Sequence, residues 1–128
     1  MLKKNKYECR LSASKYEDYV AYQLFLQGFK GIHTTARTSD YGADILCFDL
    51  IGHSCAVQCK LYSKPVGYKA VQEALAGARY YNCRRAIVVC NTQYTKNAIE
   101  GAQKLGVELY ICRYAPNQGY FEKTVSNI

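Results

Sequence analysis

Two adjoining runs, ADILCFDL at 43–50 and HSCAVQCKL at 53–61, set the terms on which this chain can fold. Successive side chains of a strand leave opposite faces. In the first run Asp44, Leu46 and Phe48 share one face, and Ile45, Cys47 and Asp49 the other. In the second, Ala56, Gln58 and Lys60 point one way, and Cys55, Val57, Cys59 and Leu61 the other. Both faces are largely apolar, so the two strands, joined through Ile51, Gly52 and His53, belong in the middle of a sheet covered on both sides.

The flanking sequence supplies the covers. SKYEDYVAYQLFLQGF repeats apolar residues at helical spacing and stops at Gly28, which predicts a helix over about 15–27. KGIHTTA at 30–36 reads as a first strand and RTSDYG as the turn after it. After the two central strands, YSKPVGYK is a loop broken by Pro65 and Gly67, and YKAVQEALAGARYY at 68–81 an Ala-rich helix. AIVVC is a short β-branched run of the buried parallel kind. TKNAIEGAQKLG is a helix ending at Gly106, and VELYICRY a last strand.

The order α-β-β-β-α-β-α-β implies an α/β fold, a mixed central sheet built from a three-strand meander and right-handed crossovers, flanked by helices. The 128 residues suit one domain over 1–128. Residues 1–13 read as a basic arm or first turn. The tail 113–128, with Tyr114, Pro116, Gly119, Tyr120 and Phe121, either packs back or pairs with a second subunit.

Asp44, Gln58 and Lys60 do not follow from packing. Gln58 and Lys60 are two apart on a strand, so they emerge on one face roughly 6–7 Å apart, where a neighbouring strand end can present Asp44. Ionisable groups aimed at a core tend to mark functional sites, although an Asp44–Lys60 ion pair at a sheet edge is the structural alternative. A carboxylate, an amide oxygen and the backbone carbonyl of Cys59 are hard oxygen donors of the kind Mg²⁺ takes. Such an ion activates water and offsets charge at phosphorus, while Lys60 stabilises what develops there. Glu17 projects beside Val20, Ala21 and Leu24, so it needs a partner or a rim position. Ser14 and Glu17 also have the spacing of a capping box.

Composition narrows the partners. Seventeen Lys and Arg against ten Asp and Glu leave a net charge of +7, which favours a polyanion, nucleic acid first and an anionic membrane surface second. No apolar run approaches the roughly 18 residues of a membrane span, so a soluble protein without a membrane partner is expected. Seven cysteines are an odd number with no CxxC pair, and MLKKNKYECRL lacks a signal peptide's apolar core. A reducing, intracellular setting is expected, cytoplasmic or nucleoid-associated. Cys55 and Cys59 then serve as small buried hydrophobes, not as zinc ligands.

In their order and separation these motifs resemble the PD-(D/E)xK nucleases, and more closely the Mrr-like restriction endonuclease catalytic domain. Its pattern runs from a helix-borne Glu through G-x-D to Q-x-K in place of E-x-K. Here those are Tyr16-Glu17, Gly42-Ala43-Asp44 and Gln58-Cys59-Lys60. Val66-Gly67, the run from Ala86 to Thr92, Tyr94-Thr95 and Ala98 extend the likeness over about residues 14–111. The resemblance implies a restriction endonuclease-like fold and a DNA endonuclease using Mg²⁺, with Mn²⁺ as a substitute. It implies that Asp44 binds the metal, Gln58 binds it or orients its water, Lys60 is the catalytic lysine, and Glu17 is an accessory acid.

Lys64 and Lys69 bracket the loop beside this cluster and are expected on phosphates, with Gln72 facing the cleft. Tyr41, Tyr62 and Tyr68 are the tyrosines placed for contact with double-stranded DNA; Tyr16, Tyr19, Tyr22, Tyr80 and Tyr81 read as core or dimer surface. Mrr-like proteins commonly carry a separate DNA-binding domain, for which this chain has no room. A homodimer, its own basic surface or a separate DNA-targeting protein would then supply the grip. Two alternatives stand beside the leading one: a non-catalytic nucleic-acid-binding module on a nuclease scaffold, and a structure-selective Holliday junction resolvase or homing-type nuclease.

Overall fold

The computed structural model describes residues 4–35, 41–115 and 120–124. Six strands form one sheet in chain order: β1 (Lys30–Thr34), β2 (Ile45–Phe48), β3 (Ser54–Lys60), β4 (Arg85–Cys90), β5 (Val107–Arg113) and β6 (Tyr120–Lys123). β1, β2 and β3 are an antiparallel meander, β3, β4 and β5 run parallel, and β6 returns antiparallel along β5. Parallel neighbours need a crossover. Helices α2 (Tyr68–Tyr80) and α3 (Lys96–Leu105) provide two of them on one face, and α1 (Ala13–Leu26) covers the other.

The strand alternation sorts the core into two layers. Ile45, Cys47, Cys55, Val57, Cys59, Ile87 and Val89 meet Tyr16, Val20 and Leu24 of α1. Ala56, Val88, Cys90 and Leu109 meet an alanine-rich surface made by Ala70, Ala74, Ala78, Ala98 and Ala102. Each fully buried Val or Ile contributes about 1.5–3 kcal/mol of transfer free energy. The small residues of α2 let its backbone approach the sheet closely.

Three expectations change. α1 starts at Ala13, with the Ser12 hydroxyl accepting from the Lys15 N–H at 3.1 Å, so Ser14 and Glu17 are not the capping box. Both serines suit a cap, and the helix chose the earlier one. The first strand ends at Thr34; Ala36 and the turn residues 37–40 lie outside the described residues. VELYICRY is not the last strand, because residues 120–123 of the tail pair with β5 as β6, while residues 116–119, with Pro116 and Gly119, and 125–128 lie outside the described residues.

Residues 4–12 dock on the body through a short 3₁₀ turn at Glu8–Arg10. Glu8 is 0 % exposed. Its carboxylate accepts from the N–H groups of Asn5 and Tyr114 and from Asn91 Nδ2, at 3.0, 2.9 and 3.2 Å, and pairs with Arg113 at 3.1 Å. A buried charge is tolerated only with such a full set of partners. Among the described residues no helix is long and apolar enough to cross a membrane.

Candidate active site

Asp44 sits one residue ahead of β2, at the sheet end where β3 and β4 finish. Its N–H donates to the Val57 carbonyl at 2.7 Å, and its Oδ2 accepts from the Cys59 N–H at 2.8 Å. Thr35 holds the same stretch from the other side, its N–H on the Asp44 carbonyl at 2.9 Å and its hydroxyl on that of Ala43 at 2.8 Å. Gly42 has φ +87°, and a Cβ there would run into the Glu73 carbonyl of α2. Gly77 of α2 faces the Gly42 backbone just as closely. The glycine of G-x-D therefore lets α2 lie against the aspartate's own loop.

Gln58 and Lys60 emerge on the α2 side of β3. Gln58 is 9 % exposed, and its side-chain amide makes no hydrogen bond among the described residues. Lys60 Nζ lies 3.0 Å from Glu73 Oε1 and 6.0 Å from the centroid of the Tyr62 ring. Burial pushes the Asp44 carboxyl above its ordinary range; the Cys59 N–H and the Lys60 charge pull it back, and the Glu73 charge adds to the rise.

Glu73 was not anticipated. The cleft-facing residue expected on this helix was Gln72, which is exposed, while its neighbour turns to Lys60. A signal was present: Glu73 is the only acid of α2 and shares helical spacing with buried Ala70 and Gly77.

The remaining expected residues are spread around this core. Glu17 comes from the α1 side, half-buried, and with burial and Asp44 it pushes the Cys59 thiol well above its usual range. Cys59 stays a neutral thiol and serves the site through its backbone. Asn91 clamps the main chain of Tyr62, accepting from its N–H at 2.7 Å and donating to its carbonyl at 2.8 Å. Lys64 and Lys69 are exposed, and the Thr92 hydroxyl anchors the Lys64 carbonyl at 2.9 Å. Tyr68, expected at the cleft, instead lays its ring on Gly101 of α3, filling the space a side chain would take. Tyr41 and Tyr80 stack on each other beside Glu73.

Asp44 and Gln58 offer oxygen donors to a divalent cation on this face, with the Cys59 carbonyl beside them, while the Glu73 carboxylate is engaged by Lys60. Among the described residues no three His, Cys, Asp or Glu side chains converge, so a cation here would meet one close anion and a neutral amide. A largely buried amide on the strand next to a carboxylate, with no hydrogen bond to another described residue, fits such a ligand.

Solved structures share the fold. A crystal structure of a protein of unknown function, AF1548, superposes with TM-score 0.64 at 20 % identity, covering 81 % of this chain and 60 % of that one. EndoMS in its apo form gives 0.58 at 16 % identity, and a repair endonuclease from Pyrococcus abyssi 0.56 at 19 %, each covering 84 % of this chain and 48 % of its own. The chain thus spans about half to three-fifths of the length of these structures. No curated protein is similar enough to match it. A family model described as restriction endonuclease, that of the Mrr-like catalytic domain, matches residues 9–112. With that match running over most of its length and the restriction endonuclease-like sheet beneath it, the chain belongs to the Mrr-like restriction endonuclease family.

Proposed function

We propose that this nuclease domain is a divalent-metal-dependent endonuclease that hydrolyses phosphodiester bonds in double-stranded DNA. The observation that carries this reading is one sheet end where a half-buried Asp44 carboxylate, a largely buried Gln58 amide and the Lys60 ammonium gather. Asp44, Gln58 and the Cys59 carbonyl would hold Mg²⁺, or Mn²⁺ in its place. When bound, the ion neutralises phosphate charge and lowers the pKa of a water. Gln58 brings no charge, so the substrate phosphate completes the set.

The protein's own groups do the rest. The Cys59 N–H fixes the Asp44 carboxylate, leaving its other oxygen for the cation. Lys60 meets the charge that develops on the scissile phosphate, and Glu73 holds Nζ within reach until the phosphate competes for it. Glu17 is the accessory acid from the α1 side. Lys64 and Lys69 take flanking phosphates, and the +7 charge draws the polyanion in. A homodimer would set two such sites on opposite strands, and a separate DNA-targeting protein could add specificity.

The test is nicking of supercoiled DNA with Mg²⁺, with chelator, and with Asp44→Ala. Cleavage is expected only in the first case. Cleavage that survives chelation, or is unchanged in Asp44→Ala, would sink the mechanism. Binding without cleavage under every metal tried would favour the binding-module reading. Sedimentation as a monomer in the presence of DNA would rule out the dimer, and a panel of junction, methylated and plain substrates sorts the nuclease types.

A further inference from the structure

Tyr41, Tyr80 and Tyr81 form a cluster beside Glu73 that the proposed hydrolysis does not use. Tyr41 and Tyr80 stack with ring centroids 3.8 Å apart and planes 5° from parallel. Tyr81 stands edge-on to both, at 6.4 and 4.9 Å, and packs its other side against the core. Each stacked ring has one face covered by the other, yet Tyr41 is 49 % and Tyr80 57 % exposed. A cavity of about 280 Å³, lined by Tyr41, Gly42, Glu73, Ala76 and Tyr80, opens between the stack and the carboxylate that holds Lys60.

Apolar ring surface left in water forgoes the stabilisation that burial would give it, and Tyr81 already caps the core here. What the exposed pair offers is an aromatic stack formed within the protein itself, on a chain whose charge attracts polyanions. Nucleobases stack on such faces whatever their identity, but a base inside a continuous duplex has both of its faces covered by its neighbours. The cavity, just below the roughly 300–1,000 Å³ of small-molecule pockets, has two aromatic residues in its lining.

We propose that the Tyr41–Tyr80 stack is a platform for one unpaired nucleobase next to the cleaved phosphate, so that the protein prefers DNA carrying an unpaired base to continuous duplex. This rests on the nuclease reading above. The platform sets which DNA is held, and Asp44 and Lys60 act on the phosphate beside it.

The test is fluorescence anisotropy in Ca²⁺ with two labelled probes, a duplex with a one-nucleotide bulge and the same duplex fully paired. The full chain is expected to bind the bulged probe about tenfold tighter, the low end of what one base–aromatic stack contributes. Tyr80→Ala is expected to remove most of that ratio, and Tyr80→Leu, which fills the space without a π-face, to do the same. Tyr80→Phe should keep it. Thermal melts establish that each variant is folded. Equal binding of both probes by the unaltered chain, a ratio that survives in Tyr41→Ala/Tyr80→Ala, or a loss in Tyr80→Phe equal to that in Tyr80→Ala overturns the platform alone. Failure to bind either probe overturns it together with the nuclease reading.

Discussion

The two ends of the sheet hold similar ingredients, carboxylates beside a strong cation, and treat them in opposite ways. Where β4 begins, Arg85 donates to both Glu108 oxygens at 2.7 Å and to Asp49 at 3.1 Å. Asp49 also receives the His53 and Ile51 N–H groups, and Lys123 comes within 3.3 Å of Glu108. Burial would raise Asp49 and Glu108, but hydrogen bonds, from the His53 N–H and Arg85 to Asp49 and from Arg85 to Glu108, hold both below the ordinary carboxylate range. Where β3 ends, Asp44 has, among the described residues, one amide donor and one nearby lysine, and there burial wins. A network that satisfies its charges ties strands together; a carboxylate left short of partners is where a cation and a phosphate can complete the set.

The sharpest way to break this comparison is to remove the cation from each end. Lys60→Ala is expected to slow nicking about a thousandfold, about 4 kcal/mol at the barrier, in the range of losing one group that meets transition-state charge. Its stability should change by no more than about 1 kcal/mol, because the Lys60–Glu73 pair is partly exposed. Urea melts and supercoiled nicking measure the two numbers. Arg85→Ala should do the reverse, lowering stability by about 1–2 kcal/mol by taking from Glu108 its two-pronged partner while nicking per folded molecule is unchanged. If Arg85→Ala stops cleavage in a fully folded protein, the division between the two ends is wrong.

Gly42→Ala couples what those variants separate. A side chain at φ +87°, pressed on the Glu73 carbonyl, is expected to cost about 2 kcal/mol and to shift α2, so activity and melting temperature should fall together. The smallest effect concerns pH. Asp44 titrates above its unfolded value, so at neutral pH its charge is a liability in the folded state. Asp44→Asn should therefore stabilise the inactive protein by about 0.5 kcal/mol, an advantage that fades as the pH falls and the native aspartic acid takes up its proton. The lowered Asp49 and Glu108 run the other way. Their stabilisation is complete above the unfolded carboxylate value and is lost as the pH falls through their depressed values. Melts of both proteins across the acid range test the signs.

Much of this was legible from local pattern. The period of two placed Gln58 and Lys60 on one face, and the apolar runs at 45–48 and 86–90 gave the central strands. What escaped depended on distant partners. YFEK is short and polar, and it becomes β6 only by pairing with β5. Glu73 acquires its meaning from Lys60 in another layer, and Tyr80, at the end of α2, from Tyr41 in the loop ahead of β2. Ser12 and Ser14 offer the same cap chemistry, so local sequence could not choose between them.

Glu8 carries a consequence for the order in which the molecule assembles. Two of its partners, Asn91 and Tyr114, stand 83 and 106 positions along the chain. Closing so long a loop is entropically costly, and the carboxylate has nowhere to dock until β4 and β5 are in register. Entering sooner would strand a charge in a dry place. Docking of residues 4–12 is therefore expected as a late, separate folding phase, read by pulse-labelled hydrogen exchange as protection of the Tyr114 amide after that of β4. A segment held by partners so far along the chain would then be the last to be placed.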